Sequence, residues 1–476
     1  MRRARIGALA ALGAALGVGC AMLAPKPAWE LPAPPATDRP IAREGALTRA
    51  QLPNGLLVLV HEDHRLPRVS IALTVRRGAA VETPAEAGAV SFMAELLERG
   101  AGKRDALAYA EAVDALGATF AASADWDTVD LGIAGLSRDF DALLDLFADA
   151  ALRPRFDARE AQRARAALLA SLERAKDDPA TLAGWQASRA LYGAHRFALP
   201  VAGTEQTAAQ LDAKRARAYH AKLFVPNGAI ASVTGDIDSA TAIAALTARF
   251  AAWPQGAVVD PGPPPPEPAP AQRSIVVVDR PDLAQARIVV GHEGISRTAE
   301  DRIAVSIFNL IVGGSGFSSR LMAALRGNEE GLTYGVNSGY SLRRAAGPFY
   351  ASTFTRVEKA RKALDLLLAE LERARSDPPG EKELGWARTL ATGSFSMGLE
   401  TSDAVTASLV DLEVYGLPED SLDTYRTRVR AVTPKDMAAV AQAHLHPERA
   451  AIVLVGPAKA IVPQLEGLGD VKVVQP

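Results

Sequence analysis

The run Pro261-Gly262-Pro263-Pro264-Pro265-Pro266-Glu267-Pro268-Ala269-Pro270 (PGPPPPEPAP) decides how this chain is organised. Seven prolines in ten residues favour extended polyproline II and exclude both helix and sheet, so the segment reads as a stiff spacer. It lies near the middle of the chain, and the sequence on either side looks alike. Before it, β runs at 56–60 and 70–75 lead to helices over 88–99 and 106–116. Strands at 118–122 and 128–133 follow, then a helix over 136–151. After it, strands at 274–278 and 286–291 precede a helix over 304–312. Strands at 335–340 and 349–355 come next, then a helix over 357–376. The closing segments match best. Each has a helix, then Pro226-Asn227-Gly228 or His446-Pro447, then an apolar strand ending at Gly235 or Gly456. The expected fold class is α+β, with two homologous α/β sandwich domains joined by the proline-rich linker.

At 476 residues the chain exceeds one ordinary core. Its 48% apolar and 23% charged residues are those of a folded protein, and a net charge of −2 gives nucleic acid no basic face. Arg2, Arg3 and Arg5 followed by the apolar run Ile6 to Val18 read as an export signal, too short to remain as a membrane span. The single cysteine, Cys20, closes the run Leu16-Gly17-Val18-Gly19-Cys20, similar to a bacterial lipoprotein cleavage site with Leu16 one position further out than that motif prefers. Cleavage near Ala21 or Ala24 is the alternative, and it removes the cysteine. The expected destination is the bacterial periplasm, with an outer-membrane lipid anchor if Cys20 is kept. The expected division is a signal over 1–24, a proline-rich tether over 25–45 and a first domain over 46–257. The linker takes 258–272, a second domain 273–464, and a tail 465–476.

The order of several short motifs carries a resemblance. Leu52-Pro53-Asn54-Gly55, Arg77-Gly78, the segment 88–100 (GAVSFMAELLERG) and Leu116-Gly117-Ala118 come first. Asp177-Asp178-Pro179, Gly203-Thr204, Phe224 to Gly228 and Gly235-Asp236 follow. The second half adds Gly313-Gly314-Ser315-Gly316-Phe317-Ser318-Ser319-Arg320-Leu321 and Gly331-Leu332-Thr333-Tyr334. In this order they resemble the pitrilysin/insulinase-like (M16) zinc peptidases over nearly all of the chain after its leader. Active members carry H-x-x-E-H on a helix, where positions i and i+4 share a metal and the glutamate activates its water. A later helix supplies a glutamate ligand. Laid on that pattern, Ser91 and Glu95 stand at the histidine positions, Ala94 at the base and Ser171 at the glutamate ligand. The resemblance therefore implies a degenerate site with no metal or cofactor in this chain. Val90, Phe92, Met93, Leu96 and Leu97 form an apolar stripe, with Ser91, Ala94, Glu95 and Glu98 opposite, and Glu95 is expected to pair with Arg99. His61 and His64 (HEDH), and His444 and His446 before a proline, show no third ligand and read as turn or surface residues.

The substrate-side motif is better kept. The resemblance places an arginine and a tyrosine of the second domain against the scissile peptide, and Arg326 and Tyr334 stand at those positions. The competing reading ends a helix at Gly331 and packs Tyr334 at a strand start. Gly313, Gly314 and Gly316 lie in a run that contacts substrate in some non-catalytic relatives. The run lacks the Gly-Lys-Ser/Thr ending of a phosphate loop, and a flexible connection is the alternative. Several branches of the family form a clamshell from two chains, one bearing H-x-x-E-H and the other the arginine–tyrosine pair. The resemblance thus implies a non-catalytic subunit of a heteromeric zinc endopeptidase that meets extended peptides, with zinc in the partner. A metal-free peptide-binding or scaffold protein, monomeric or homodimeric, is the alternative.

Overall fold

The computed structural model describes residues 47–262, 264–265, 272–327 and 330–476. The signal, the tether, Cys20 and part of the proline-rich linker lie outside the described residues. The first sheet contains β1 (Leu47–Gln51), β2 (Leu57–Glu62), β3 (Arg68–Val75), β4 (Thr119–Ala124), β5 (Val129–Leu136) and β6 (Ala229–Gly235), in the order β1-β2-β6-β3-β5-β4. The second contains β7 (Ser274–Asp279), β8 (Gln285–Glu293), β9 (Val336–Tyr340), β10 (Pro348–Arg356), β11 (Ala451–Gly456) and β12 (Val471–Val474), in the order β12-β7-β11-β8-β10-β9. Without their outermost members β1 and β12, the two orders are the same. In each, one central pair runs parallel, β2 with β6 and β7 with β11, and the rest of the shared ladder is antiparallel. The repeat suggested by the sequence is a repeat of topology.

The outer strands break it. β1 turns back on β2 through Leu52-Pro53-Asn54-Gly55, with Gly55 at φ +86°, and pairs antiparallel. β12 arrives from the far end of the chain and pairs parallel with β7. The segment expected as a tail, 465–476, therefore carries a sheet strand, too short and too charged around Lys472 to announce itself by periodicity.

In the first half α1 (Ala89–Leu97), α2 (Ala106–Ala115), α3 (Phe140–Leu152), α4 (Ala158–Ala175), α5 (Pro179–Tyr192), α6 (Ala213–Leu223) and α7 (Ser239–Phe250) follow the strands. The second half has α8 (Arg302–Asn309), α9 (Arg320–Leu325), α10 (Ala360–Ser376), α11 (Glu381–Met397), α12 (Ser402–Tyr415), α13 (Ser421–Ala431) and α14 (Pro434–His444). Alternation in β3 turns Val69, Ile71, Leu73 and Val75 to one face, where they meet Val90 and Met93 of α1 and Leu143 and Phe147 of α3. Ser70, Ala72 and Thr74 face the other way.

Those other faces join the halves. α5 begins where Asp178 accepts hydrogen bonds from Ala180 N and Thr181 N ahead of Pro179 at N1. Leaving the first half, it buries Leu182, Ala183 and Ala187 against Val278, Val289, Val453 and Val455 of the second sheet. α12 does the reverse, placing Val410 and Val414 against Leu59 and Ile230 of the first sheet. Each fully buried Leu or Val in such a contact is worth about 1.5–3 kcal/mol. The helix covering each sheet thus belongs to the other half.

Candidate functional site

The helix that resembles a zinc-binding helix is built into the core. Gly88 precedes it at φ +95°, and a Cβ there would meet Ala202 O at 2.5 Å, so only glycine fits. The start of α1 is held by Glu82, whose carboxylate accepts from Val90 N at 2.6 Å and Gly88 N at 3.2 Å. Arg196 closes the set with Nη2 2.7 Å from Glu82, both side chains fully buried. Arg196 also donates to the carbonyls of Leu199 and Val201, so this buried charge pair is fully hydrogen-bonded. Nothing in the sequence pattern pairs residues so far apart.

Ser91 is half-buried, and Ala94, expected on the polar face, is only 1% exposed. The correction has a simple cause: a methyl group in place of a carboxylate lets that side of the helix pack. Glu95 reaches Arg99 at 2.6 Å, the expected i+4 pair, and Arg99 also lies 3.7 Å from Glu160. Ser171 is exposed on α4. The donor set at these four positions is two hydroxyls, a methyl and a carboxylate already paired with a guanidinium. That set does not fit zinc, which takes imidazole, thiolate or free carboxylate. Glu98 follows α1 and accepts from Ala122 N at 2.7 Å, on the free edge of the first sheet.

The histidines depart from the surface reading in several places. His61 is buried beside Thr406, at 3.3 Å. His292 is fully buried: Nδ1 donates to Glu293 O at 2.6 Å and Nε2 accepts from His446 N at 3.2 Å, and burial pushes the imidazole down to about 3. His220 bonds Ala151 O at 2.9 Å and is pushed down by burial to about 4. His444 pairs with Asp301 at 2.6 Å. His64 does gain carboxylate neighbours, contrary to the expectation. Glu62, His64 and Asp238 bring potential ligand atoms within 4.8 Å of one another, while His64 Nδ1 sits 2.7 Å from Asp236. His64 and Asp238 are exposed, Glu62 is half-buried, and the His64–Asp236 pair accounts for the arrangement.

In the second half the two sequence-predicted residues come together. α9 ends at Leu325, with Arg326 as its C-cap, so the helix does not run on to Gly331. Arg326 donates from Nη1 to Tyr334 O at 3.1 Å. Tyr334 is 80% exposed, so it does not pack at the strand start. Among the described residues no carboxylate pairs with Arg326. Arg320, at the start of the same helix, shows the contrast. It is buried and held bidentate by Glu383 at 2.6 and 2.7 Å. Phe317, which the motif reading passed over, lies with its ring 4.6 Å from the Arg326 guanidinium and is 73% exposed. Its signal was an aromatic residue standing alone in a glycine–serine run.

The glycines of that run divide. Residues 310–314 form a single wide π-helical turn, and Gly313 is buried there. A Cβ at Gly313 would strike Ser338 and Leu321, and one at Gly314 would meet Asn309 Nδ2 at 2.6 Å. Gly313 is closely packed, while Gly314 is exposed beside Asn309. Gly316, at φ +66° with open space around its Cα, is the one that shapes the exposed turn 316–318.

Comparison with known proteins agrees with this architecture. Residues 57–205 match the family model described as insulinase (peptidase family M16), and residues 210–390 match the peptidase M16 inactive domain. An uncharacterized zinc protease of Streptomyces coelicolor is 27% identical over 87% of this chain and 90% of its own length. The crystal structure of a peptidase M16 inactive domain from Pseudomonas fluorescens superposes with a TM-score of 0.80 at 28% identity. That match covers 86% of this chain and 98% of the other. A protease from Helicobacter pylori shares the fold, with a TM-score of 0.79 at 18% identity over 86% and 99% of the two chains. Two M16-like domains in tandem, built on one repeated sheet, make this chain a member of the insulinase-like peptidase family M16.

Proposed function

We propose that this chain is the non-catalytic subunit of a heteromeric zinc endopeptidase, and that it lends Arg326 and Tyr334 in trans to a partner bearing H-x-x-E-H. The observation that carries the reading is the contrast between the two halves. The zinc-helix positions hold Ser91, Ala94, Glu95 and Ser171, whereas Arg326 and Tyr334 stand together at the surface, the guanidinium with no carboxylate among the described residues. A guanidinium with no carboxylate partner among the described residues and a phenol are donors suited to a peptide carbonyl whose oxygen gains charge in the transition state. The partner's zinc would supply the activated water. Extended peptides are the substrate class, and the exported form, with or without a lipid anchor on Cys20, places the complex in the periplasm.

The test is native mass spectrometry of the protein gently purified from its own cell envelope, recording partner and zinc together. A zinc-bearing heterodimer whose other chain holds H-x-x-E-H is expected. In that complex the Arg326→Ala, Tyr334→Ala double variant should cut peptide cleavage by about a hundredfold, the scale of losing an oxyanion donor, with assembly intact. A metal-free monomer or homodimer that binds peptides without cleaving them would replace this reading with the peptide-binding one.

A further inference from the structure

The turn that carries Phe317 is more firmly built than a flexible glycine loop. Gly316 at φ +66° starts it, and Ser319 ends it by donating from Oγ to Gly316 O at 2.8 Å. The same Ser319 Oγ accepts from Met322 N at 3.4 Å and caps α9, so turn and helix are one unit. That unit holds Phe317 at its entrance and Arg326 at its exit, and ring and guanidinium close the span at 4.6 Å. The phenyl ring gains nothing from burial there, since it is 73% exposed. A single exposed apolar side chain is ordinary on a protein surface; what sets Phe317 apart is the Arg326 guanidinium lying over its ring.

Resting on the proposed role of Arg326, we infer that Phe317 is the positioning residue for that guanidinium. The guanidinium carbon lies over the phenyl ring, and the Tyr334 carbonyl takes one Nη1 hydrogen. Among the described residues its other N–H groups meet no acceptor, which leaves them for a peptide carbonyl. Holding a flexible arginine this way before substrate arrives removes part of the ordering cost of the transition state. The open ring face is also placed to touch an apolar side chain of the bound peptide. A cation–π contact at an exposed site sets the scale, so loss of the ring should lower kcat by about three- to fivefold.

The experiment compares Phe317→Leu, Phe317→Tyr and Arg326→Ala, and the Phe317→Leu, Arg326→Ala double variant, using the complex purified from the cell envelope. The probe is a quenched-fluorescence decapeptide. Phe317→Leu should lower kcat with little change in KM, Phe317→Tyr should restore it, and the double variant should be no worse than Arg326→Ala alone. Proton NMR of the chain itself supplies a second reading: the ring-current shift of the Arg326 Cδ protons should vanish in Phe317→Leu and persist in Phe317→Tyr. If Arg326→Ala cleaves as well as wild type, the in-trans role fails. If Arg326→Ala is impaired but Phe317→Leu is not, or the two losses multiply, the positioning role of Phe317 fails by itself. An unchanged Arg326 shift in Phe317→Leu overturns it in the same way.

Discussion

The first half closes over its helix beside the free sheet edge, while the second half leaves its own helix end open. Around α1, Ala94 packs, Glu95 is tied to Arg99, and Glu98 takes the Ala122 N–H of edge strand β4. Around α9, Phe317 and Tyr334 stay at the surface, and Arg326 touches the ring of one and the backbone carbonyl of the other. Apart from the outer strands β1 and β12, strand order is the same in both, so the difference is one of side chains on a common frame. On the proposed reading, a duplicated framework loses its chemistry at one copy with no change of fold, because the helix at the ligand positions is also a wall of the core. Replacing ligands by small or self-paired residues leaves that wall standing.

The sharpest way to break the closed half is to disturb the Glu82–Arg196 pair that starts α1. Arg196→Leu leaves the Glu82 carboxylate buried and facing only two backbone N–H groups. The expected cost is about 3–5 kcal/mol, the scale for breaking a buried ion pair from one side. Urea unfolding measures it, and a loss below about 1 kcal/mol would mean that water reaches Glu82 in the native protein.

The exchanged helices allow a matched pair of substitutions. Leu182→Ala, on the helix covering the second sheet, removes a fully packed side chain among Val278, Val289 and Val453, and should cost about 2–5 kcal/mol. Val410→Ala, on the helix covering the first sheet, removes less from a looser contact with Leu59 and Ile230, and should cost about 1–2 kcal/mol. Both should lower a single cooperative unfolding transition in calorimetry. Two separated transitions would show that the halves are not locked by the exchange.

This exchange is also what the sequence hid. Most strands and helices were legible to within a few residues, because alternation in β3 and the apolar runs of β6 and β11 are strong local signals. The proline-rich run suggested a linear division at 46–257 and 273–464, but α12 lies in the second span and packs on the first sheet. No local pattern states which sheet an amphipathic helix will cover. β12 was missed because an edge strand of four residues with one apolar face scarcely departs from a tail. Motif spacing singled out Ser91, Ala94, Glu95 and Ser171, but the burial of Ala94 was not legible, since alanine suits either face of a helix. Phe317 went unread because its partner, Arg326, meets it only in three dimensions.

Each half carries one histidine kept neutral by burial, which gives the comparison a pH dimension. His220 is pushed down to about 4 and His292 to about 3, against about 6.5 in an unfolded chain. Below about pH 6.5 the unfolded state takes up protons that the folded state does not, so stability falls as pH decreases. The loss continues until each folded imidazole titrates, and its limiting slope is about 1.4 kcal/mol per pH unit for each histidine. Denaturant unfolding between pH 6.5 and 5 should show this slope, and His220→Gln should remove about one proton's share of it. An unchanged slope in that variant would mean that His220 is protonated in the native protein.

The smallest expected effect falls on the residue that most nearly keeps a ligand's place. On the proposed reading Glu95 stands where an active family member carries a histidine, and a lone carboxylate there invites a metal reading. Its side chain is over a third exposed and already spans one turn to Arg99, with Glu160 close behind. A partly exposed i+4 pair of this kind is worth about 0.3–0.5 kcal/mol. Glu95→Ala should therefore cost no more than that in urea unfolding, and less in high salt, because Arg99 retains Glu160. The same variant should leave zinc content, measured by inductively coupled plasma mass spectrometry on the purified complex, at the wild-type value. A fall in zinc on losing Glu95 would place a metal on α1 itself, and the first half could then no longer be regarded as closed.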